Sequence, residues 1–288
     1  MERDGNGWVE CDLGHRHWGL HGAAGLLLHT VDDAGEVRVL LQHRADWCHH
    51  GGTWGLPGGA RDSHESVEQA ALREAVEETE IDGTQVRLGH TFVDDHGGWS
   101  YTTVYADSAT ALDTVPNEES AELSWLPVPS VDALDLHPGF GHTWPQVRLP
   151  ALQLVVDAAN VVGSVPDGWW KDRSGAAERL GRRLAPLIST TLRIGDSSGV
   201  VSAVHLVVEG AARAATIEPP VRAVVTDGSG DDAVVAKATD LVNTGHDVVV
   251  VTSDRELAQR VKSLDAGIRV EGARWLIERL AQSAPSVP

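Results

Sequence analysis

Glu74, Glu77 and Glu78 crowd like charge into one short stretch, ESVEQAALREAVEETEID (65–82). Carboxylates at i, i+3 and i+4 share one helical face. Side by side they repel, and partial burial raises the cost of keeping them ionised. A divalent cation relieves that repulsion, and oxygen donors of this kind suit Mg²⁺ or Mn²⁺. At 100° per residue, Val67, Ala70, Ala71 and Ala75 form one apolar stripe, and the acidic face lies roughly 40° from it. The acids therefore continue the buried side of the helix, where a plain solvated face would oppose it.

The flanking chain supplies the elements that must hold this helix. GAAGLLLHT (22–30) and EVRVLLQHR (36–44) read as strands joined by the turn VDDAG. The glycine-rich loop HHGGTWGLPGG leads into the acidic helix. TQVRLGHTFVDD and WSYTTVYAD read as two more strands around DHGG, and ELSWLPV (122–128) as another. HPGFGHTWPQVRLP (137–150) is rich in Pro and Gly with no clear period, which places a domain boundary there.

Gly59, Glu65, Arg73-Glu74 and Glu77-Glu78 follow the pattern G-x5-E-x7-RE-x2-EE. Six fixed identities would arise by chance on the order of 10⁻⁷ per start at about 7% per residue type. The stretch 59–81 resembles the Nudix box of the Nudix hydrolases. The resemblance implies a Nudix domain over residues 1–145, an α/β/α sandwich with a mixed sheet. It implies Mg²⁺-dependent (or Mn²⁺-dependent) hydrolysis of a pyrophosphate bond in a nucleotide, with Glu74, Glu77 and Glu78 as metal ligands. Glu78 or Glu77 would also accept a proton, Arg73 would pair with Glu65, and Gly58 and Gly59 would bring backbone close to phosphates. Glu118, Glu119 and Glu122 are alternative bases. The family pattern has Gly where this chain has Glu80, and it favours a larger aliphatic residue at Ala75. Without that Gly the helix stop is expected to slip to Gly83.

Trp54, Trp47, His49 and His50 flank the box and offer faces for a nucleotide base; Trp54 and His50 are the substrate-binding candidates. Cys11, His15, His17, Cys48, His49 and His50 are zinc-ligand types. Their spacing matches no zinc signature, and His17 and Cys48 lie 31 positions apart, so free cysteines and surface histidines are the expectation.

The second half alternates apolar runs with helical stretches: LQLVVDAAN, AVHLVVEG, VRAVVTDG and DVVVVTSD, between GAAERLGRRLAPL, DDAVVAKATDLVNTG and RELAQRVKSLDAG. RWLIERLAQS closes it. Such alternation predicts a parallel α/β sheet. Asp157, Asp231, Asp232 and Asp254 then gather at the carboxyl edge of the strands, with Glu209 beside them. Asp and Ser there are also common helix N-caps, with Ser229 or Asp231 and Ser253 or Asp254 as candidates. The pieces VVDAANVVG, GSGDDAVVAKA and VVTSDREL resemble PIN-like nuclease domains of the NYN branch. That resemblance implies a PIN-like, Rossmannoid domain over 151–288, with Asp157, Asp231, Asp232 and Asp254 holding Mg²⁺ or Mn²⁺ near Asn160, and RNA as a possible partner. Arg179, Arg182 and Arg183 share a face that phosphates could meet. GSGDDA also fits a loose dinucleotide pattern, but paired aspartates would repel a pyrophosphate.

Composition sets the outer bounds. Net charge is −19 and the pI about 5.0, which disfavours general attraction for nucleic acid. Two cysteines exclude a disulfide framework and suit a reducing cytoplasm. No apolar run is long enough to span a bilayer, and MERDGNGWVE does not read as a signal peptide. The expected protein is a cytoplasmic two-domain enzyme. Its alternatives are a nucleotide-sensing first domain regulating a C-terminal nuclease, or a catalytic first domain with an inert second one.

Overall fold

A two-stranded antiparallel ribbon, β1 (Trp8–Glu10) and β2 (Arg16–Trp18), forms a small sheet of its own. Strands of three residues show no period, so the sequence gives no sign of them. The computed structural model describes residues 3–166, 168–194 and 197–282, and the chain divides into two units, Met1–Leu149 and Pro150–Pro288. The rest of the first unit is built on a mixed sheet of β3 (Ala23–Val31), β4 (Val37–Arg44), β5 (Trp54–Gly55), β6 (Gly58–Ala60), β7 (Arg87–Asp95), β8 (Ser100–Asp107) and β9 (Ser120–Pro127). β3 runs parallel to β8 and antiparallel to β4 and β6; β7 flanks β8, and β9 flanks β4.

Helix α1 (Val67–Thr79) starts at a capping box, in which Ser66 and Gln69 each bond the other's backbone amide. Its stripe Ala70, Ala71 and Ala75 packs on Ala24, Leu26, Leu28, Leu40, Val104 and Ala106 of the sheet. Small side chains let the helix sit close to the strands, with Ala75 where the family pattern favours a larger aliphatic residue. Leu27, Val39 and Leu41 alternate with those core residues and are buried on the opposite face. The helix does not slip to Gly83. It stops at Glu80, which takes the left-handed conformation (φ 55°, ψ 20°) and donates its amide to the Val76 carbonyl. Gly83 instead opens a short 3-10 turn capped by Asp82.

The two units divide between Leu149 and Pro150, and the stretch 137–150, read as a domain boundary, is largely helical. Helix α2 (Pro138–Val147) occupies it, and Phe140, Trp144 and Val147 are buried within the first unit. Trp144 donates its indole N–H to Asp132 at 2.8 Å. Pro145 lies in a helix too short and too Gly-rich to show a period, so burial and not propensity decides this element.

In the second unit, β10 (Ala151–Asp157) is followed by α3 (Ala158–Gly163), α4 (Arg173–Leu184), β11 (Thr191–Ile194) and β12 (Ser197–Val208). After these come β13 (Arg222–Val225), α5 (Gly230–Asn243), β14 (Asp247–Val251), α6 (Arg255–Lys262), β15 (Arg269–Glu271) and α7 (Ala273–Gln282). Parallel neighbours run β13-β12-β10-β14-β15, and β11 lies antiparallel on β12. Alternation along the strands feeds two cores. Leu152, Leu154, Val156, Val249 and Val251 pack with α3, α4 and α7. Val155, Val248 and Val250 pack with α5 and α6. Continuous apolar strands arise because both faces are covered.

Candidate active site

The C-terminal half of α1 and the short strand β6 build the first candidate site together. Glu78 is only 5% exposed and accepts a hydrogen bond from the Gly58 amide at 2.8 Å. Burial pushes its carboxyl up to about 8, and the like charges of Glu74 and Glu119 push the same way. No ion pair reaches Glu78 among the described residues. Burial likewise raises the Glu74 carboxyl, against the pull of Arg73. Glu77 is the exposed member and pairs with Arg3. The acidic face is therefore graded from buried Glu78 to exposed Glu77, in keeping with its place beside the apolar stripe.

Arg73 is the brace. Its Nε and Nη2 donate to both oxygens of Glu65 at 2.6 and 2.8 Å, Nη1 donates to Glu74 at 2.5 Å, and Nη2 also donates to the Ala60 carbonyl at 3.0 Å. These bonds hold the Glu65 carboxyl below its usual range and raise the guanidinium above its own. One side chain thus ties the loop before α1, the helix and β6.

The glycines serve packing. A Cβ at Gly58 would lie 2.5 Å from the Ala24 carbonyl oxygen, and one at Gly59 would lie 2.7 Å from the Glu74 carboxyl carbon. Only a bare backbone lets β6 pair with β3 beneath the glutamates. Tyr101 stands on the same side. Its hydroxyl fills the space where a Gly25 side chain would be, and burial with the Glu78 charge raises its pKa.

The glycine-rich loop carries the substrate candidates. Trp54 is half-buried in β5, its ring 4.9 Å from His43. His50 is exposed at φ 55°, with His49 at 4.1 Å and His137 at 4.8 Å between ring centroids. Burial, with the charges of His50, Arg44 and His49, lowers His137 to about 4. His137, Arg44 and Tyr101 have no motif to mark them and come to this region only through the fold. Glu119 acts on Glu78 electrostatically, as does Arg44 with opposite sign. The zinc-type residues do not form one set. Cys11, His15 and His17 are joined by His96, whereas His49 and His50 are joined by His137 and leave out Cys48.

At the strand ends of the second unit, Asp157 caps α3 by accepting from the Asn160 amide at 3.1 Å, and Thr252 donates to it at 3.1 Å. Asn160 in turn accepts from the Ser253 amide at 2.7 Å. Asp254 caps α6, accepting from Glu256 and Leu257 at 2.8 and 2.9 Å. Ser229, not Asp231, caps α5. Asp232 turns to Arg260 at 2.5 Å. Glu209 accepts from the Gly230 amide at 2.6 Å. Burial raises Asp157, with the charges of Asp231 and Glu209 adding to it; Asp231 is raised by burial and by Asp254 and Glu209. Capping thus explains Asp157 and Asp254, and an ion pair explains Asp232. Among the described residues Asp231 has neither role.

Comparison with known proteins bears on the first unit. A family model for the NUDIX domain matches residues 19–146. The putative 8-oxo-dGTP diphosphatase 3 of Mycobacterium tuberculosis is 52% identical over 151 residues, covering 50% of this chain and 70% of that protein. A nucleoside triphosphate pyrophosphatase/Nudix hydrolase fusion protein of Bifidobacterium longum is 40% identical over 151 residues, covering 51% and 31%. The solved Nudix hydrolase RenU of M. smegmatis is 52% identical, covering 50% of this chain and 93% of that one, with a TM-score of 0.49. The braced, acid-lined helix therefore belongs to a member of the Nudix hydrolase family, with its Nudix domain at residues 19–146.

Proposed function

We propose that the first unit is a Mg²⁺-dependent (or Mn²⁺-dependent) nucleotide pyrophosphohydrolase of the cytoplasm, acting on a nucleoside triphosphate. The observation that carries this reading is Glu78, a carboxylate buried beside Glu74 without an ion-pair partner. Oxygen donors so placed fit a hard divalent cation, held by Glu74, Glu77 and Glu78. Such a cation supplies charge neutralisation at the phosphates and a bound water of lowered pKa. Arg73 and Glu65 keep the helix and β6 in register, and Gly58 and Gly59 admit that close packing. Glu78 or Glu77 accepts the proton of the attacking water. Trp54 and His50 meet the nucleotide. The M. tuberculosis relative, whose name is putative 8-oxo-dGTP diphosphatase 3, favours an oxidised purine nucleotide as substrate. Screening natural and oxidised nucleoside triphosphates, dinucleoside polyphosphates and nucleotide sugars with Mg²⁺ tests it. Selective release of pyrophosphate from 8-oxo-dGTP is expected; no turnover of any of them defeats the reading.

A second reading concerns the C-terminal unit: a PIN-like domain that cleaves RNA with Mg²⁺ or Mn²⁺ held by Asp157, Asp231, Asp232 and Asp254. It is supported by the parallel strand order and by Asp231, an acid raised by burial and by its acidic neighbours and not used as a cap. Arg179, Arg182 and Arg183 are exposed on α4 as a surface for phosphates. Cleavage of single-stranded RNA by the whole chain with Mn²⁺ should be lost in Asp231→Asn and kept in Glu78→Gln. Intact RNA with the wild type leaves Asp157 and Asp254 as helix caps and Asp232 as an ion-pair partner on an inert domain, or on one regulated by the first.

A further inference from the structure

Three side-chain sets among the described residues bring metal-ligand atoms within 4.8 Å of one another: Cys11 with His15, His17 and His96; His49 with His50 and His137; and Asp4 with Asp62 and His64. The last is already committed. Asp62 accepts from the Asp4 and Gly5 amides, and Asp4 accepts from Ser63. The second has only three imidazoles, two of them exposed. The first is different in kind: a buried thiol and three imidazoles from two separate hairpins.

We propose that Cys11, His15, His17 and His96 form a tetrahedral zinc site that clasps the N-terminal ribbon to the β7–β8 hairpin. The donor chemistry selects the metal. Thiolate and imidazole favour zinc over Mg²⁺, which prefers oxygen. Four protein ligands fill a tetrahedron and leave no open position, so the site is structural. Zinc–nitrogen bonds of about 2.0–2.1 Å and a zinc–sulfur bond of about 2.3 Å place tetrahedral ligand atoms roughly 3.3–3.6 Å apart. The Cys11 Sγ and His17 Nε2 already stand 3.3 Å apart. All four donors lie within 4.8 Å, so a contraction of about 1 Å completes the set.

The surroundings hold the ligands in place. His96 bonds the Asp94 carboxylate through Nε2 at 3.1 Å, while its Nδ1 is buried with no hydrogen-bond partner among the described residues. A histidine fixed by a carboxylate on one nitrogen, with the other nitrogen free, has the form of a metal ligand with its supporting acid. A buried nitrogen without a partner calls for an explanation, and a hydrogen bond between Cys11 and His17 does not provide one. The His17 ring lies flat against Trp99 at 3.9 Å and 8°, and Trp99 donates to the Gly19 carbonyl at 3.1 Å.

The fold also gives the metal something to do. β1 and β2 pair only with each other, and Trp8, Leu13 and Trp18 remain 43%, 63% and 44% exposed. A two-stranded ribbon that buries so little is marginal in water. Its tip touches the β7–β8 turn through the Asp12 amide and the Gly97 carbonyl at 2.9 Å. Gly97 has φ +70°, and a Cβ there would lie 2.6 Å from the Asp12 carboxylate, so the two tips interlock only at glycine. Zinc joined to residues 11, 15 and 17 on one tip and to 96 on the other would cross-link them.

The test uses the full chain, loaded with zinc, passed through gel filtration in excess Mg²⁺, and assayed for bound zinc. The wild type should keep about one zinc per chain that Cys11→Ser and His96→Ala do not keep. Asp94→Asn should weaken binding about tenfold, as expected for loss of a supporting carboxylate. Cobalt should give tetrahedral d–d bands and a thiolate charge-transfer band that Cys11→Ser abolishes. Because Cys11 is buried and its replacement can disturb folding, His15→Ala carries the same expectation at an exposed position. Zinc should raise the melting temperature of the wild type and not of these variants. No retained zinc and no thiolate band in the wild type would overturn the proposal. So would equal retention in folded Cys11→Ser, His15→Ala and His96→Ala chains, which would assign the metal to another set.

Discussion

The Glu78 carboxylate, one residue from the end of α1, accepts the Gly58 amide of β6 at 2.8 Å. This bond joins the acidic helix to the strand that underlies it, and it places a charge-bearing group where water scarcely reaches. Glu78→Gln keeps an acceptor for that amide and removes the charge. Turnover with Mg²⁺ should fall on the order of 100-fold or more. Folding should survive, and the metal-free melting temperature near pH 8 should rise. Glu77→Gln, at an exposed position, should lower turnover similarly with little change in melting. Near-normal turnover in both variants removes the metal-site assignment.

The same carboxyl sets a pH dependence in metal-free protein. Its folded pKa is about 8 against an ordinary 4.5, so the folded state holds a proton that the unfolded state releases. The contribution to stability is fully present below pH 4.5 and is lost as pH rises through about 8. Thermal unfolding without metal should show this fall over that window, and Glu78→Gln should flatten it. Mg²⁺ binds the ionised form, so its stabilising effect should be larger at pH 8 than at pH 6. An equal Mg²⁺ effect at both values contradicts this account.

Arg73 donates to Glu65, Glu74 and the Ala60 carbonyl from one planar fork. Lysine cannot reproduce that geometry. Arg73→Lys should cost about 1.5–3 kcal/mol in denaturant unfolding of the first unit. A loss below about 0.5 kcal/mol, the scale of an exposed pair, would show that the brace carries little.

Glu80 ends α1 at φ 55°. Left-handed backbone costs a residue with a Cβ about 1–2 kcal/mol, and glycine gives back part of that relief as unfolded-chain entropy. Glu80→Gly should therefore stabilise the first unit by about 0.5–1 kcal/mol, whereas Gly83→Ala should not mimic it. Destabilisation by Glu80→Gly in equilibrium unfolding would contradict this.

Helix α2 belongs to the first unit, with Trp144 buried at 2% exposure. A fragment of residues 1–149 should fold with cooperative unfolding. One ending at residue 137 exposes the site that Phe140, Trp144 and Val147 fill and should be insoluble or molten. Equal stability of the two fragments would show that α2 is dispensable.

Much of the first unit is legible in its sequence for physical reasons. The period of α1 and the strands β3, β4, β7 and β8 follow from local pattern, and the Arg73–Glu65 pairing is what the resemblance to the Nudix box implies. The alternating apolar runs of the second unit likewise announce strands covered on both faces. The short elements β1, β2, β11 and β15 are not legible, because three or four residues carry no period.

By itself the sequence determined what repeats locally: the acidic face beside the apolar stripe and the identities of the glutamates that crowd there. Only the tertiary structure decided how far each glutamate is buried, because burial depends on β6 lying against α1. It also decided that Glu80, not Gly83, ends the helix, in left-handed backbone that the sequence pattern does not mark. Asp157 and Asp254 cap through amides two or three residues on, whereas Asp232 as a partner of Arg260 depends on a neighbour distant in sequence. So does the meeting of Cys11, His15 and His17 with His96, which spacing along the chain could not show because two hairpins must first be brought tip to tip.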